Sequence, residues 1–286
     1  MGLILKNSFQ DQSGFLNLSV SGYDSDASAY FSTSGVTDPT AKTQINSFVV
    51  QVKALGLWSN MVSWPLINTQ NGITSNLTAY SLGGLGTYNA TLQNTGISYT
   101  SSGLSKTSAG GVLYLGNSSV IANCQTAVVV YQASGSTGYA NLRPMKLGLC
   151  IDITNTGMQP LYSTDSTQLA VQFNRNLSIG YSSNYTLGSG RAFQPNFCVI
   201  DIGASNNTLL INNQSANVIS LATTKTPIAA GFDSYLAPNA GGYGVNGSAF
   251  GTYPFSALFN TDISPANMAS LYTAYKTTIG SSLSLP

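Results

Sequence analysis

Residues 196–221 read NFCVIDIGASNNTLLINNQSANVISL. Three short apolar runs, Asn196 to Ile202, Thr208 to Ile211 and Val218 to Leu221, are separated by clusters of Gly, Ala, Ser, Asn and Gln. β-branched and aromatic residues suit a pleated, half-buried backbone, while Gly, Asn and Ser supply turns. The segment predicts three strands with turns between them.

The same texture extends outward, from about residue 70 to residue 260. Further strands are predicted at Val112 to Leu115, Ala127 to Gln132, Lys146 to Thr154, Gln168 to Phe173 and Leu177 to Tyr181. These runs alternate with turns and not with helices, so the pattern predicts an antiparallel two-sheet sandwich and not a parallel α/β fold. Ser-, Gly- and Asn-rich stretches such as Thr100 to Gly111 read as long loops, and no long-period repeat is evident.

Helical signals flank the β region. Asp24 to Phe31 reads as a short helix with its acids at the N-terminus, where the helix dipole favours them. Asp38 is a good N-cap and Pro39 sits at the first helical position, where its missing N–H costs nothing. Ile45, Phe48, Val49, Val52 and Leu55 then recur at steps of three and four until Gly56. The aromatic segment Leu57 to Leu66, with Trp58, Trp64 and Pro65, is expected to dock this helix onto the main domain. Near the other end Ser264 caps, Pro265 opens, and Met268, Leu271, Tyr272, Tyr275 and Ile279 keep helical spacing to Gly280, with Lys276 placed to suit the dipole. The predicted organisation is an N-terminal arm (1–22), a small helical unit (23–68) and a β-sandwich with a closing amphipathic helix (69–286).

Composition narrows the chemistry. Charged residues are 7% of the 286, against about a quarter in an ordinary soluble domain, so the polar surface is made of Ser, Thr, Asn and Gln. The chain has no His and no Glu, and all nine acids are Asp. Catalysis by Ser-His-Asp or Cys-His, zinc sites that use His or Glu, and Glu-based glycosidases are thereby removed. Ten scattered basic residues and a net charge of +1 form no cationic stripe, so nucleic acid is not an expected partner. The start, Met1 to Lys6, shows no signal peptide or spanning helix, and membrane insertion is not expected.

The remaining candidates have plain readings. Asp24 and Asp26 lack the Gly and the terminal acid that a calcium loop of the EF-hand type requires. Asp152, Asp165, Asp201, Asp233 and Asp262 are expected in turn and cap roles, although two of them within roughly 10 Å in an open cleft would make a hydrolase pair. Cys124, Cys150 and Cys198 have no CxxC spacing and read as buried thiols in strands. Gly83-Gly84-Leu85-Gly86 and Gly241-Gly242-Tyr243-Gly244 lead into no Lys-Ser or Lys-Thr helix, which leaves them as loops. The Asn-x-Ser/Thr triplets at Asn89, Asn117, Asn184 and Asn206 are what this composition produces by chance. Tyr235, Tyr243 and Tyr253, in a Gly-rich stretch, read as exposed loop or self-association surface, and tyrosines and tryptophans of this kind can stack on sugar rings.

Ser34-Gly35-Val36-Thr37-Asp38-Pro39-Thr40, continued by Ile45-Asn46, Val49, Val52-Lys53 and Gly56-Leu57-Trp58-Ser59-Asn60-Met61, resembles a motif of structural proteins of tailed bacteriophages. There a G-(I/V)-T-D-P-T cap leads through a helix to G-L-W-x-K-M and Y-P-F. Asn60 stands here in place of the usual Lys, and Trp64-Pro65-Leu66 in place of the aromatic-Pro-Phe end. Thr208 to Asn213, and Phe255-Ser256-Ala257 through Ile279-Gly280, are similar to the same family, with Asn267 where the family often has an acid. The resemblance covers about 25–70 and 190–280 and implies a concanavalin-A/laminin-G-like jelly roll.

Together these features predict a non-enzymatic virion component, exposed as a tail fibre, appendage or head-decoration subunit and assembled in the host bacterial cytoplasm. Its expected partners are other virion proteins and further copies of itself. The alternative is a lectin-like receptor-binding module for host-surface polysaccharide. No catalytic residue, cofactor or metal is expected, and the ligand-binding residues are left unassigned.

Overall fold

The computed structural model describes residues 22–66, 78–83, 88–93, 97–100, 103–106, 112–116, 124–133, 145–146, 159–165, 168–176, 179–186, 194–202, 206–212, 217–220, 234–236 and 251–286. All of the predicted arm but Gly22, and all of the predicted strand Lys146 to Thr154 but Lys146, lie outside these.

Among the described residues three α-helices flank the sheets: α1 (Ser25–Ser34), α2 (Pro39–Ala54) and α3 (Pro265–Thr277). Each begins as its sequence dictates. The Asp24 carboxylate accepts from the Asp26 N–H at 2.9 Å, Asp38 from the Ala41 N–H at 2.7 Å, and Ser264 from the Asn267 N–H at 3.3 Å. Pro39 and Pro265 occupy the first helical positions. Gly35 ends α1 in the left-handed conformation at φ 76°, so α1 runs three residues beyond the expected end at Phe31. The last helix stops at Thr277, and Gly280 lies in the turn that follows.

Sixteen strands are described. The first six are β1 (Met61–Ser63), β2 (Thr78–Ala79), β3 (Ala90–Gln93), β4 (Ile97–Thr100), β5 (Gly103–Lys106) and β6 (Val112–Gly116). Then come β7 (Thr126–Ala133), β8 (Met145–Lys146), β9 (Gln159–Asp165), β10 (Gln168–Asn176) and β11 (Ile179–Thr186). The last five are β12 (Asn196–Ile202), β13 (Asn206–Ile211), β14 (Asn217–Ser220), β15 (Ser234–Leu236) and β16 (Gly251–Phe259). The stretch 196–221 thus forms three successive strands, β12 to β14, paired in sequence.

All strand pairings among the described residues are antiparallel. They form three hydrogen-bonded groups. An eight-stranded sheet runs β14-β13-β12-β7-β16-β5-β4, with β1 added beside β16. A five-stranded sheet runs β2-β3-β6-β15-β8, and a three-stranded sheet runs β11-β10-β9. Long-range partners therefore surround β7: it lies between β12, with Val199 opposite Val128, and β16, with Ala257 opposite Val128.

One continuous apolar core joins helices and sheets. It contains Ile45, Phe48, Val49 and Val52 of α2, Leu271, Tyr272 and Tyr275 of α3, Val128 and Val130 of β7, Phe197 and Val199 of β12, and Ala79 and Ala90 of the five-stranded sheet. The apolar stripes seen in the sequence are the faces that close it. Burial of each large side chain in such a core stabilises the fold by about 1.5–3 kcal/mol before entropy is counted.

Candidate functional site

The aromatic segment after α2 is built into the fold by backbone and side chain together. Gly56, at φ 70°, lets the chain leave the helix, and β1 then pairs with the end of β16 through Met61 opposite Phe259. Trp64 is fully buried, its ring 4.6 Å from that of Phe48 and 5.9 Å from that of Phe259. Phe48 also meets Tyr275 edge-on at 6.2 Å, and Tyr275 lies 5.3 Å from Phe197. The ring of Trp64 is thus the contact between α2 and the large sheet, as the docking expectation required. Its backbone holds a second junction, because the Leu82 N–H donates to the Trp64 carbonyl at 2.9 Å and Ser81 Oγ accepts from the Trp64 N–H at 2.9 Å. This tryptophan is closed to ligands.

Trp58 is half-buried and differs in role. The Lys53 ammonium lies 5.3 Å from its ring centre, a cation–π distance. The same ammonium contacts the carboxylates of Asp24 at 2.6 Å and Asp26 at 2.5 Å. Burial raises the Asp24 carboxyl, but the Lys53 ammonium and the N–H groups of Asp26 and Ala27 outweigh it and hold the group below the usual carboxylate value. Burial lowers the Lys53 ammonium, and the two carboxylates reverse this and hold it above the usual value. The pair Asp24 and Asp26 therefore clasps a lysine of α2 and caps α1. It does not form a calcium loop.

Asp201 departs from the expected turn or cap role. It sits in mid-sheet on β12, 5% exposed, where Thr126 Oγ1 of β7 lies 2.5 Å from its Oδ1 and the Ile263 N–H donates to it at 3.3 Å. The Thr126 hydroxyl is also 2.7 Å from the Thr261 carbonyl. Sequence inspection missed this cluster because its members come from three separate segments; the only local sign was an acid inside an apolar run. Chemically it ties the lead-in of α3 to the sheet. Asp262 is exposed, Asp165 lies in β9, and Asp152 and Asp233 are outside the described residues.

A second buried polar cluster lies at the start of β12. Asn212, in the left-handed conformation at φ 53°, accepts from the Phe197 N–H at 2.9 Å through Oδ1 and donates to Asn196 Oδ1 at 2.9 Å. Asn196 Nδ2 in turn donates to the Gln194 carbonyl at 2.8 Å. Asn tolerates this backbone conformation and satisfies buried groups at the same time. Cys198, between these clusters, is fully buried, and burial pushes its thiol well above the usual range. Cys124 is buried just before β7, and Cys150 lies outside the described residues.

A groove of about 390 Å³ opens between α2 and α3, lined by Gln51, Ala54 and Leu55 on one side and Ala269, Ser270, Thr273 and Ala274 on the other. The hydroxyls of Ser270 and Thr273 donate to the carbonyls of Ala266 and Ala269 inside their own helix. Nothing charged lines the groove. Among the described residues no three Asp or Cys side chains gather as a metal site needs, and no helix is long and apolar enough to cross a membrane.

The tyrosines of the Gly-rich stretch separate. Tyr235 lies in β15 opposite Tyr114 and Lys146, and Tyr253 lies in β16 opposite Leu104, so both belong to strands of different sheets and not to one exposed loop. Tyr243 lies outside the described residues, as do Gly84 to Gly86 and Gly241 to Gly244. Gly83, at φ 114°, is described and packs on the Trp58 ring, 3.4 Å from where a Cβ would stand.

No protein-family model matches the chain, and no curated protein does. Solved structures do resemble it. A chain of botulinum neurotoxin type C, which depends upon interaction with two ganglioside molecules to enter cells, is similar at a TM-score of 0.51 and 13% identity, covering 77% of this chain and 52% of that one. A mutant of Trypanosoma rangeli sialidase displaying trans-sialidase activity is similar at a TM-score of 0.50 and 12% identity, covering 80% of this chain and 38% of that one. The CBM40 of the Ruminococcus gnavus IT-sialidase, bound to α2,3-sialyllactose, gives a TM-score of 0.41 at 13% identity over 52% of this chain and 82% of that one. The chain thus spans about half or less of the two larger proteins. The first two likenesses agree with the sheet-rich antiparallel fold with helices described above.

Proposed function

We propose that this chain is a non-catalytic carbohydrate-binding module built on a jelly-roll sandwich of the concanavalin-A/laminin-G kind. The observation that carries the reading is the antiparallel architecture it has in common, over 77% of its length, with a toxin chain that interacts with gangliosides. Its composition supports the same reading. A chain with 7% charged residues and abundant amides and hydroxyls offers the mixed donors and acceptors that sugar hydroxyls need. The absence of His and Glu, with Asp201 held inside the core, favours binding over hydrolysis. The test is an array of immobilised bacterial-surface polysaccharides and defined oligosaccharides probed with the purified full chain. Dose-dependent binding to a related set of glycans is the expected result, and no hits across the array overturns the reading.

A second reading places the module on a tailed-phage particle as a fibre, appendage or decoration subunit, in contact with other virion proteins and with copies of itself. Its support is the motif-bearing segment from Gly35 to Met61, which forms one continuous unit of cap, helix, left-handed glycine and docked aromatic residues. The two readings are compatible. Cryo-EM of intact particles that carry the chain tests the second: density at a capsid lattice point or in a protruding appendage supports it, and a chain absent from mature particles sinks it.

A further inference from the structure

Helices α2 and α3 lie side by side and run in opposite directions. Near the start of α2, Gln44 reaches the turn that follows α3, its Nε2 donating to Ser281 Oγ at 3.1 Å. Phe48 then meets Tyr275, and Gln51 to Leu55 face Ala269 to Ala274 across the groove. With their apolar stripes closed against the core, the two helices turn a second face outward. It carries Thr43, Val50 and Ala54 of α2 and Ala269, Ser270 and Thr273 of α3, all exposed.

This face is neutral, satisfied in its hydrogen bonds and uneven in shape. The two helices hold three charged side chains, all lysines, and each is engaged elsewhere. Lys42 lies 5.6 Å from the Phe31 ring centre, Lys53 is clasped by Asp24 and Asp26, and Lys276 reaches the Pro286 carbonyl and the Tyr272 ring. The hydroxyls of Thr43, Ser270 and Thr273 donate to the carbonyls of Pro39, Ala266 and Ala269 at 2.9, 2.9 and 3.0 Å. Their protons are already used inside the helices, so taking the face out of water leaves none of these donors unmet. Val50 is 47% exposed and stands at the rim of the groove, one residue from Gln51 and one turn before Ala54.

A knob beside a hole on one neutral face is complementary to itself. A two-fold axis sets such a patch against its own copy, where a charged patch would meet like charge and a neutral one does not. A strongly charged partner would instead lose water on this face and find no counter-charge. Gln51 carries the only amide of the groove, both donor and acceptor, and can pair with its own counterpart across the axis. At 1.5 Å per residue α2 is about 24 Å long, and two helices of about 10 Å width make a face of roughly 400–500 Å². That is about half of what each partner covers in a stable dimer, which fits a weak, concentration-dependent pair.

We infer that the α2–α3 face is a self-association surface through which two copies of this chain pair about a two-fold axis, Val50 of each entering the groove of the other. The test is sedimentation velocity on the full chain from about 5 to 500 μM, with far-UV circular dichroism confirming the fold of each variant. The wild type is expected to pass from monomer to dimer with a Kd of about 100 μM. Because the face is uncharged, that Kd stays within about twofold between roughly 0.05 and 0.5 M NaCl. Val50→Asp, which puts an acid on the knob, weakens pairing at least about tenfold, and Ala269→Leu, which fills the hole, does so independently. Ala29→Asp, at an exposed position of α1, leaves it unchanged. A wild type that stays monomeric throughout overturns the inference and assigns the face to a different partner. Association that Val50→Asp and Ala269→Leu both leave intact, or that grows past the dimer without limit, overturns it as well.

Discussion

Asn60 and Asn260 stand two hundred residues apart and hydrogen-bond to each other twice: Asn60 Nδ2 donates to Asn260 Oδ1 at 3.2 Å, and the Asn260 N–H donates to the Asn60 carbonyl at 2.9 Å. The contact sets the register in which β1 meets β16, Met61 opposite Phe259, and so delivers Trp64 to its slot between Phe48 and Phe259. The pairing of one amide with another is in keeping with a chain of which only 7% is charged.

The Trp64 slot supports a direct test. Trp64→Ala removes a fully buried indole that contacts both a helix and the sheet, and is expected to cost about 3–5 kcal/mol in urea-denaturation stability. Trp58→Ala, at a half-buried ring, costs less than half of that. Equal losses would show that Trp64 is not the main contact of the helical unit.

Asp201 serves as an acceptor for groups on two other segments. Asp201→Ala leaves the Ile263 N–H without its acceptor, while the Thr126 hydroxyl still reaches the Thr261 carbonyl. The expected destabilisation is about 2–3 kcal/mol, and Asp201→Asn, which keeps an acceptor oxygen, loses less. Thermal denaturation of the two variants side by side checks the order.

Gly280 is required for a steric reason. A Cβ there would stand 2.3 Å from Cε1 of Tyr275, whose ring is 1% exposed and packed on Phe48 and Phe197. Gly280→Ala is therefore expected to cost about 1–3 kcal/mol and to lower Tm by several degrees. A Tm equal to that of the wild type would refute the close approach.

The Lys53 clasp predicts a pH dependence with two limbs. The Asp24 pKa is lower folded than unfolded, so its contribution is present above the ordinary value of 3.8 and is lost as pH falls through the folded value. The Lys53 pKa is higher folded than unfolded, so its contribution is complete below the ordinary value of 10.5 and is lost as pH rises through the folded value. The stability difference between wild type and Lys53→Met should be flat between these limits and shrink outside both. The groups are partly exposed, which screens the pair and keeps the plateau near or below about 1 kcal/mol. Urea titrations at pH 3, 7 and 11 measure it.

Local rules made much of this architecture legible. Asp38 with Pro39, and Ser264 with Pro265, announce their helices because capping is chemistry between residues two or three positions apart. The run Asn196 to Ile202 is a strand over those same residues, because its composition suits a pleated backbone. Pairing is another matter. That β7 lies between β12 and β16 depends on contacts across many intervening residues, which composition does not encode. The role of Asp201 was hidden for the same reason, since Thr126 and Ile263 lie 75 and 62 positions away. Tyr235 and Tyr253 looked like members of one loop because Gly residues surround them, yet they enter strands of different sheets.

The apolar stripe of α2 has a consequence for synthesis on the ribosome. Phe48 is covered by Trp64 from its own neighbourhood, but also by Tyr275, which is translated more than two hundred residues later. At ordinary elongation rates the stripe waits roughly 10–40 s for its final cover. During that interval the nascent chain carries a sticky helix with its partner strand β16 and partner helix α3 still unmade. Synthesis that stops short of α3 leaves that surface open for good, so premature termination here yields an aggregation-prone fragment and not a smaller working module.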